Sequence, residues 1–222
     1  MTDHVTIIGG GLGGLVAAIG AREAGNAVTL HEAKGELGGL VWRGDCRYAD
    51  RLAAYGDRLD ELTLEKPLIA SGKVGLRRGV TDSTTLIGFY HSEDSLEMNP
   101  SQESGFPKGF LGAAIEGPSR EGFLFYPLYS TRRGESGHAS GAGPPHILPD
   151  GATHDWMLEY APAAAGGARI SAWFDKKSVT LDVPATHRAA GARLNRFGLV
   201  TTWVDGNGQR VYFDDLTYTC RQ

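Results

Sequence analysis

The chain has 222 residues, a formal net charge of −4 and 41% hydrophobic residues. This length provides for one large domain or for a small and a medium one, and the composition is that of a soluble globular protein. The acidic balance argues against a nucleic-acid or anionic-lipid surface, and no apolar run approaches the roughly 20 residues of a membrane span. Glycine, with 32 residues, is about twice its usual ~7% share, which favours a turn-rich β protein.

The N-terminus and the cysteines predict an intracellular, metal-free protein. The segment "MTDHVTII" has neither the basic region nor the cleavage site of an export signal, so we expect a cytoplasmic chain. The two cysteines, Cys46 and Cys220, form neither a disulfide framework nor a metal-ligand pattern. No metal site is therefore predicted.

A nucleotide-binding pattern opens the chain. The segment "HVTIIGG" is a β-branched apolar run, typical of a buried strand, and Gly9, Gly11 and Gly14 follow it with G-x-G-x-x-G spacing. Apolar residues then recur with a helical period as far as a stop at Gly25-Asn26. The segment "AVTLHE" completes a βαβ unit with a second strand that ends in Glu32.

Each part of this unit has a physical role in binding a dinucleotide. The glycines permit a tight turn and let the backbone approach a pyrophosphate, which lies at the positive N-terminus of the helix. Glu32 lies 18 residues after Gly14, where a carboxylate can accept hydrogen bonds from a ribose hydroxyl. A lone G-x-G-x-x-G is a weak signal, but its position between a strand and a helix makes this one specific.

The pattern resembles the N-terminal motif of FAD-dependent oxidoreductases of the phytoene desaturase, protoporphyrinogen oxidase and amine oxidase type. The segment "GGGLGGLVAAIGAREAGNAVTLHEAKGELGG" carries the resemblance, which covers residues 1–41. The resemblance implies FAD rather than NAD, although the spacing alone does not distinguish them. The residues assigned to the cofactor are Gly9, Gly10, Gly11, Leu12, Gly13, Gly14, Glu32 and Gly39. The family's late glycine-aspartate strand is missing, so retention of FAD depends on the rest of the chain.

Most of the remaining chain alternates between apolar and polar residues, as half-buried strands do. Apolar residues between Tyr48 and Leu62 recur at helical spacing, but Gly56 interrupts them, so a helix remains open there; no further helix is expected. Lys176-Lys177 predicts a tight hairpin, and residues 205–208 a strong turn. The predicted strands are residues 70–78, 84–92, 110–117, 122–131, 154–162, 169–175, 178–184, 196–204 and 210–219.

Residues 36–222 resemble the concanavalin A-like lectin and glucanase jelly rolls, particularly bacterial laminin-G-like sandwiches. The segments that carry the resemblance are "PLIASGKV", "GFLFYPLY", "HDWMLEY", "NRFGLVTTW" and "VYFDDLTY". The predicted fold is thus mainly β: an antiparallel β-sandwich (jelly roll) preceded by a small N-terminal βαβ dinucleotide-binding unit. We place the boundary between residues 1–40 and 41–222.

The sandwich is predicted to be carbohydrate-associated and non-catalytic. Hydrolytic members of the resembled superfamily use an E-x-D-x-x-E cluster as nucleophile and general acid/base. That cluster is missing here, since Glu61 and Glu65 have no aspartate between them. We therefore assign no catalytic residue.

Two long loops, residues 91–109 and 130–151, are the expected recognition segments. Glycan sites combine aromatic platforms with planar polar side chains, although an aromatic residue on an alternating strand is more often part of the core. The candidate ligand residues are His91, Arg120, Glu121, Tyr126, Tyr129 and Trp203.

Two functions from different classes remain open. The first is a non-catalytic, carbohydrate-associated sandwich with an N-terminal FAD or dinucleotide motif, whose partner is a glycan or another small molecule. The second is an FAD-dependent oxidoreductase, truncated or compact. The two resemblances meet within "EAKGELGG", as they would in an evolved fusion or in a chimeric, engineered or wrongly assembled chain. The sandwich would also fit an exported protein.

Overall fold

The computed structural model divides the chain into two compact units, residues 1–46 with 56–58, and residues 47–55 with 59–222. The predicted boundary at residue 40 falls in a segment that the structure does not describe, so it stays a prediction. The described residues are 4–8, 18, 21–31, 44–49, 52–79, 83–96, 106–119, 122–163, 167–201 and 209–222.

The N-terminal unit contains a parallel pair of strands, β1 (His4–Ile8) and β2 (Ala27–His31). Residues 21–23 between them are helical. The helix ends at Gly25, whose φ of 83° is the left-handed conformation that glycine adopts without strain. The Gly25 N–H donates to the Arg22 carbonyl and the Asn26 N–H to the Ala21 carbonyl, a Schellman motif that confirms the predicted helix stop.

The larger unit is built from two antiparallel sheets. The seven-stranded sheet has the order β3-β4-β13-β6-β7-β8-β9, and the five-stranded sheet has the order β12-β11-β10-β5-β14. The strands are β3 (Gly44–Ala49), β4 (Leu52–Thr63), β5 (Leu68–Arg78), β6 (Ser83–Tyr90), β7 (Phe110–Ser119), β8 (Gly122–Ser130), β9 (Ser136–His138), β10 (His154–Pro162), β11 (Ala168–Phe174), β12 (Lys177–Val183), β13 (Arg193–Thr201) and β14 (Arg210–Tyr218). A short helix, α1 (Ala185–Ala190), links β12 to β13.

Aromatic side chains hold the two sheets together. Phe125 of β8 lies with its ring centroid 5.0 Å from that of Phe174 and 6.3 Å from that of Trp156, both on the opposite sheet. Phe197 of β13 stacks on Tyr218 of β14 at 4.1 Å. Because these rings are inward members of alternating strands, they define the inner face of each sheet and so establish the β-sandwich that the sequence predicts.

All nine predicted strands are confirmed, with ends that differ by a few residues. The predicted hairpin is also present, with its turn at Asp175-Lys176, because Phe174 pairs directly with Lys177. The helix considered between Tyr48 and Leu62 is wrong, since β4 forms a strand there. Gly56 would weaken a helix by about 1 kcal/mol, whereas β4 gains a partner on each side, β3 and β13.

One short helix escapes sequence reasoning. Helix α1 contradicts the expectation of no further helix; Pro184 precedes it, and Gly191 follows it with a φ of 73°. A proline at the start and a glycine at the end are the signals that could have revealed it.

In the described part of the chain, no helix is long and apolar enough to cross a membrane.

Truncating the inter-sheet aromatic contact should destabilise the sandwich. Phe125→Ala removes a fully buried ring and leaves a cavity beside Trp156 and Phe174, so we expect a loss of about 3–5 kcal/mol in the free energy of unfolding. Urea denaturation measures this loss. Leu148→Ala, at an exposed position, is the control and should stay within about 0.5 kcal/mol of wild type. Equal effects of the two variants would contradict the assigned core.

Candidate functional site

The ends of β1 and β2 form the described edge of the predicted cofactor site. Ile8 and His31 are paired in register, so β1 and β2 end at the same edge of the parallel pair. This is the arrangement that dinucleotide-binding βαβ units use. The predicted cofactor residues themselves, Gly9, Gly10, Gly11, Leu12, Gly13, Gly14, Glu32 and Gly39, lie outside the described residues, and their roles stay predictions.

His91, a predicted ligand residue, is buried and organises a turn. Its Nδ1 accepts the backbone N–H groups of Glu93 at 3.3 Å and Asp94 at 3.2 Å. Its own backbone N–H donates to Ser95 Oγ at 2.9 Å. The imidazole is thereby committed to the 3₁₀ turn at Asp94–Leu96, and a ligand role for it stays a prediction.

The two candidate tyrosines point to opposite faces of β8, so they do not form one platform. Tyr126 is buried on the outer face, where its hydroxyl donates to Glu116 Oε2 at 2.5 Å. Burial, followed by this hydrogen bond, raises the pKa of Tyr126. Its ring lies 6.1 Å from that of His138, which is exposed, so the buried Tyr126 ring has one polar neighbour at the surface.

Tyr129 belongs to the inner face and makes a separate contact at the edge of the sandwich. Its hydroxyl is 2.7 Å from Nδ1 of His187 in α1. Burial, and then the charge of Glu135, raise the pKa of Tyr129 to about 12. Thr131 hydrogen-bonds to the Glu135 carboxylate, which lowers the pKa of that group.

The remaining candidates, Arg120, Glu121 and Trp203, lie outside the described residues.

The predicted recognition loop at residues 130–151 is largely fixed along β8. Its β9 segment pairs with Leu128–Ser130, and its later part continues along the same edge. There the Phe125 N–H donates to the Pro145 carbonyl at 2.9 Å, and the Ile147 N–H donates to the Phe123 carbonyl at 3.0 Å. On the outer face of this sheet, the central side chains are buried, among them Leu86, Tyr90, Phe110, Ala114, Tyr126 and Leu128. This face therefore presents no open platform at those positions.

A cavity of about 610 Å³ lies at the β11–β12 hairpin and contains a histidine–aspartate pair. His154 Nδ1 is 2.8 Å from Asp175 Oδ2, and its ring packs on Phe174 at 4.6 Å. The other Asp175 oxygen accepts the Asp155 N–H, which holds the carboxylate at a turn position with a φ of 52°. His154 Nε2, however, has almost no exposed surface, and none of the described residues hydrogen-bonds to it. The ring thus forms the wall of the cavity and is not placed to act as a base.

A second cleft, of about 210 Å³, lies on the outer face of the five-stranded sheet. Tyr212 of β14 is 59% exposed there, and the Arg77 guanidinium carbon lies 5.4 Å from its ring centroid. Tyr212 pairs in register with Gly75, which is buried beneath the backbone of Ala152 between Lys73 and Arg77. This cleft combines an exposed aromatic ring with a planar cation. The same combination was expected at the two long loops.

The sequence carried a signal for this cleft. In "RVYFDD", Tyr212 lies between the inward Val211 and Phe213, so the alternation predicts that it faces outward. In "SGKVGLRR", the same period places Lys73 and Arg77 on either side of Gly75 on one face. Alternation predicts the direction of these side chains but does not show that they share a cleft. Among the described residues, no group of three metal-ligating side chains comes together.

The N-terminal segment is similar in sequence to known proteins. A family model for an NAD(P)-binding Rossmann-like domain matches residues 7–50. The 4,4'-diaponeurosporene oxygenase of Staphylococcus aureus (strain USA300) is 49% identical over 43 residues, which are 19% of this chain and 9% of that protein. The same figures apply to the protein from strain NCTC 8325 / PS 47. The chain thus spans about 9% of the length of these curated relatives. The N-terminal segment is therefore similar to dinucleotide-binding domains.

Solved structures with lectin and lyase jelly rolls resemble the chain at low sequence identity. The carbohydrate recognition domain of Emp47p is 8% identical, covers 80% of this chain and 79% of its own, and has a TM-score of 0.47. An endo-β-1,4-glucuronan lyase from the fungus Trichoderma reesei is 12% identical, covers 81% and 88%, and has a TM-score of 0.43.

Alkaline pH should destabilise the sandwich through its buried tyrosines. Burial raises the pKa of Tyr129 and of Tyr160 to about 12, above the usual value near 10. Between these values the unfolded tyrosine has lost its proton while the folded one keeps it, so the free energy of unfolding falls as pH rises. Each tyrosine contributes up to about 1.4 kcal/mol per pH unit.

Urea denaturation between about pH 8 and 11.5 tests this prediction. Tyr129→Phe and Tyr160→Phe should each flatten the decline above about pH 10, while below it their profiles run parallel to that of wild type. An unchanged decline in the double variant would contradict the assignment.

Proposed function

We propose that the chain is a carbohydrate-associated β-sandwich whose N-terminal unit binds a dinucleotide, with FAD preferred. One observation carries the nucleotide part: the in-register parallel pairing of Ile8 with His31. Because both strands end at the same edge, the glycine motif after β1 and the acid after β2 leave from neighbouring positions. A pyrophosphate and a ribose of one ADP group need their partners at such neighbouring positions.

The residues between the strands are suited to the anionic part of the ligand. The G-x-G-x-x-G sequence precedes in the chain a helix whose C-terminal end is capped at Gly25, so the opposite, positive end would face the glycines. Backbone N–H groups at a helix N-terminus bind phosphate without requiring a charged side chain. The matching family model, described as NAD(P)-binding, and the flavoprotein resemblance support the same general ligand class.

The choice of FAD over NAD rests on the resemblance to phytoene desaturase-type flavoproteins. Both cofactors carry the same ADP moiety, so Gly9, Gly11, Gly14 and Glu32 can contact either. The discriminating part of the cofactor, flavin or nicotinamide, would lie beyond these residues. The proposal therefore separates two questions, binding of ADP and retention of flavin, which need different measurements.

The nucleotide proposal is tested by calorimetric titration of the full chain with ADP, FAD and NAD. Glu32→Gln removes the carboxylate that would accept the ribose hydroxyls, and it should weaken binding of all three ligands by roughly ten- to a hundredfold. Glu23→Gln is the matched control, because it makes the same change at an exposed position of the same unit. The proposal is wrong if the wild-type chain binds none of the three ligands, or if the two variants bind alike.

A second candidate is an FAD-dependent oxidoreductase. The 49% identity over 43 residues to 4,4'-diaponeurosporene oxygenase favours it. An absorbance spectrum of the chain, after excess FAD and desalting, distinguishes the two candidates. Stoichiometric flavin bands would favour the oxidoreductase, whereas ADP binding without retained flavin would favour the sandwich protein.

A further inference from the structure

We infer that the cleft between Arg77, Gly75 and Tyr212 binds an acidic sugar residue, through its carboxylate and its C–H face. This inference rests on the carbohydrate half of the proposed function and names its ligand class and its site. The cleft lies on the outer face of the five-stranded sheet, within the described part of the larger unit. Its volume of about 210 Å³ suits a single sugar ring, since sites for drug-sized ligands start at about 300 Å³.

Arg77 is the group available for an anion. β5 and β14 change register between Arg210 and Val211, so Arg78 and Leu76 each have a partner on β14 while Arg77 between them has none. Within the described residues, its guanidinium forms no ion pair and lies against the Tyr212 ring. A planar guanidinium held against a ring can donate two parallel hydrogen bonds to a carboxylate.

Lys73, at the other end of the cleft, already forms an ion pair with Asp215. Its Nζ lies 2.7 Å from Asp215 Oδ2, and this hydrogen bond, with the charge of the same group, raises the pKa of the lysine. Asp214 pairs with Lys73 across the strands and adds a further carboxylate there. Residues 73 and 77 are roughly 13 Å apart along the strand. The cleft therefore has a cationic end at Arg77 and, at Lys73, an end where Asp214 and Asp215 provide hydrogen-bond acceptors.

This polarity matches an acidic sugar in one orientation. The sugar carboxylate would bind Arg77, its C–H face would pack on the exposed Tyr212 ring, and its hydroxyls would donate to Asp214 at the opposite end. Thr153, in the loop that crosses Gly75, provides a further hydroxyl. A free phosphate would not use the ring, and a neutral sugar would offer the guanidinium only uncharged hydroxyl acceptors in place of a bidentate carboxylate.

The floor of the cleft is fixed by close backbone packing. A Cβ at Gly75 would come within 3.0 Å of the Ala152 carbonyl oxygen, and a Cβ at Gly151 within 3.5 Å of the Arg77 side chain. The loop at residues 151–153 thus lies directly against β5 and limits where Arg77 can move. Such restraint reduces the entropy that the arginine loses on binding.

Calorimetric titration of the full chain with glucuronate and galacturonate oligomers tests the inference, each beside its methyl ester, which keeps the ring but removes the charge. We expect at least one acid to bind about tenfold more tightly than its ester. Arg77→Gln should abolish that difference, and Tyr212→Ala should weaken acid and ester together by about tenfold, whereas Tyr212→Phe should not. Arg78→Gln is the matched control, since it makes the same change at the neighbouring exposed residue.

The outcomes separate the inference from the proposed function. Binding of neutral cello-oligosaccharides or of the esters, unaffected by Arg77→Gln and Tyr212→Ala, would overturn this site and leave the carbohydrate function standing. Binding of no acidic, esterified or neutral oligomer would overturn both. Acid-selective binding that persists in Arg77→Gln would overturn the assignment of Arg77.

Discussion

The packing of aromatic rings between the two sheets is the interaction on which the larger unit depends. Phe125 lies against Trp156 and Phe174, and this contact determines which face of β8 and of β11 is turned inward. Because side chains alternate strictly along a strand, one inward ring determines the orientation of every neighbour, and a shift by one residue would reverse all of them. Burial of Phe125 therefore also decides that Tyr126 faces the other way.

The same constraint explains why the two faces away from the core differ so strongly. On the seven-stranded sheet the central outward residues are mostly apolar, such as Leu86 and Leu128, and they are buried. On the five-stranded sheet the outward positions hold charged and polar groups with a few exposed apolar ones, among them Ile69, Met157 and Tyr212. A ligand that needs both an aromatic ring and charges finds them on the second face.

The strands were predictable because their apolar period is local information. Segments such as β10, β11 and β14 alternate in sequence and in burial, whereas β6 is an apolar run buried on both faces, and both patterns are typical of strands. The region of β4 was not predictable in this way, because its apolar residues also fit a helical period and only pairing with β3 and β13 decides between them. The six residues of α1 are too few to show any period.

Site residues were harder to predict than strands, because a side chain's type does not report its exposure. Tyr126 and Tyr212 both lie outward on aromatic-rich strands, yet one is 3% exposed and the other 59%. The difference depends on what lies above each sheet, and that is long-range information. The alternation could show that Tyr212 faces away from the core, but not that its ring would stay open.

The two proposed sites depend on different physical interactions, so each can be gained or lost without the other. The N-terminal unit would bind phosphate through backbone N–H groups at a helix end, where glycine is favoured because it has no side chain. The cleft on the sandwich would bind through side chains, and its key feature, an arginine without a strand partner, comes from the register change between β5 and β14. A bulge re-aims side chains locally while the strands on either side keep their pairing and their inward residues. The core therefore tolerates the feature that creates the cleft, and a binding site can arise on this face at little cost to the fold.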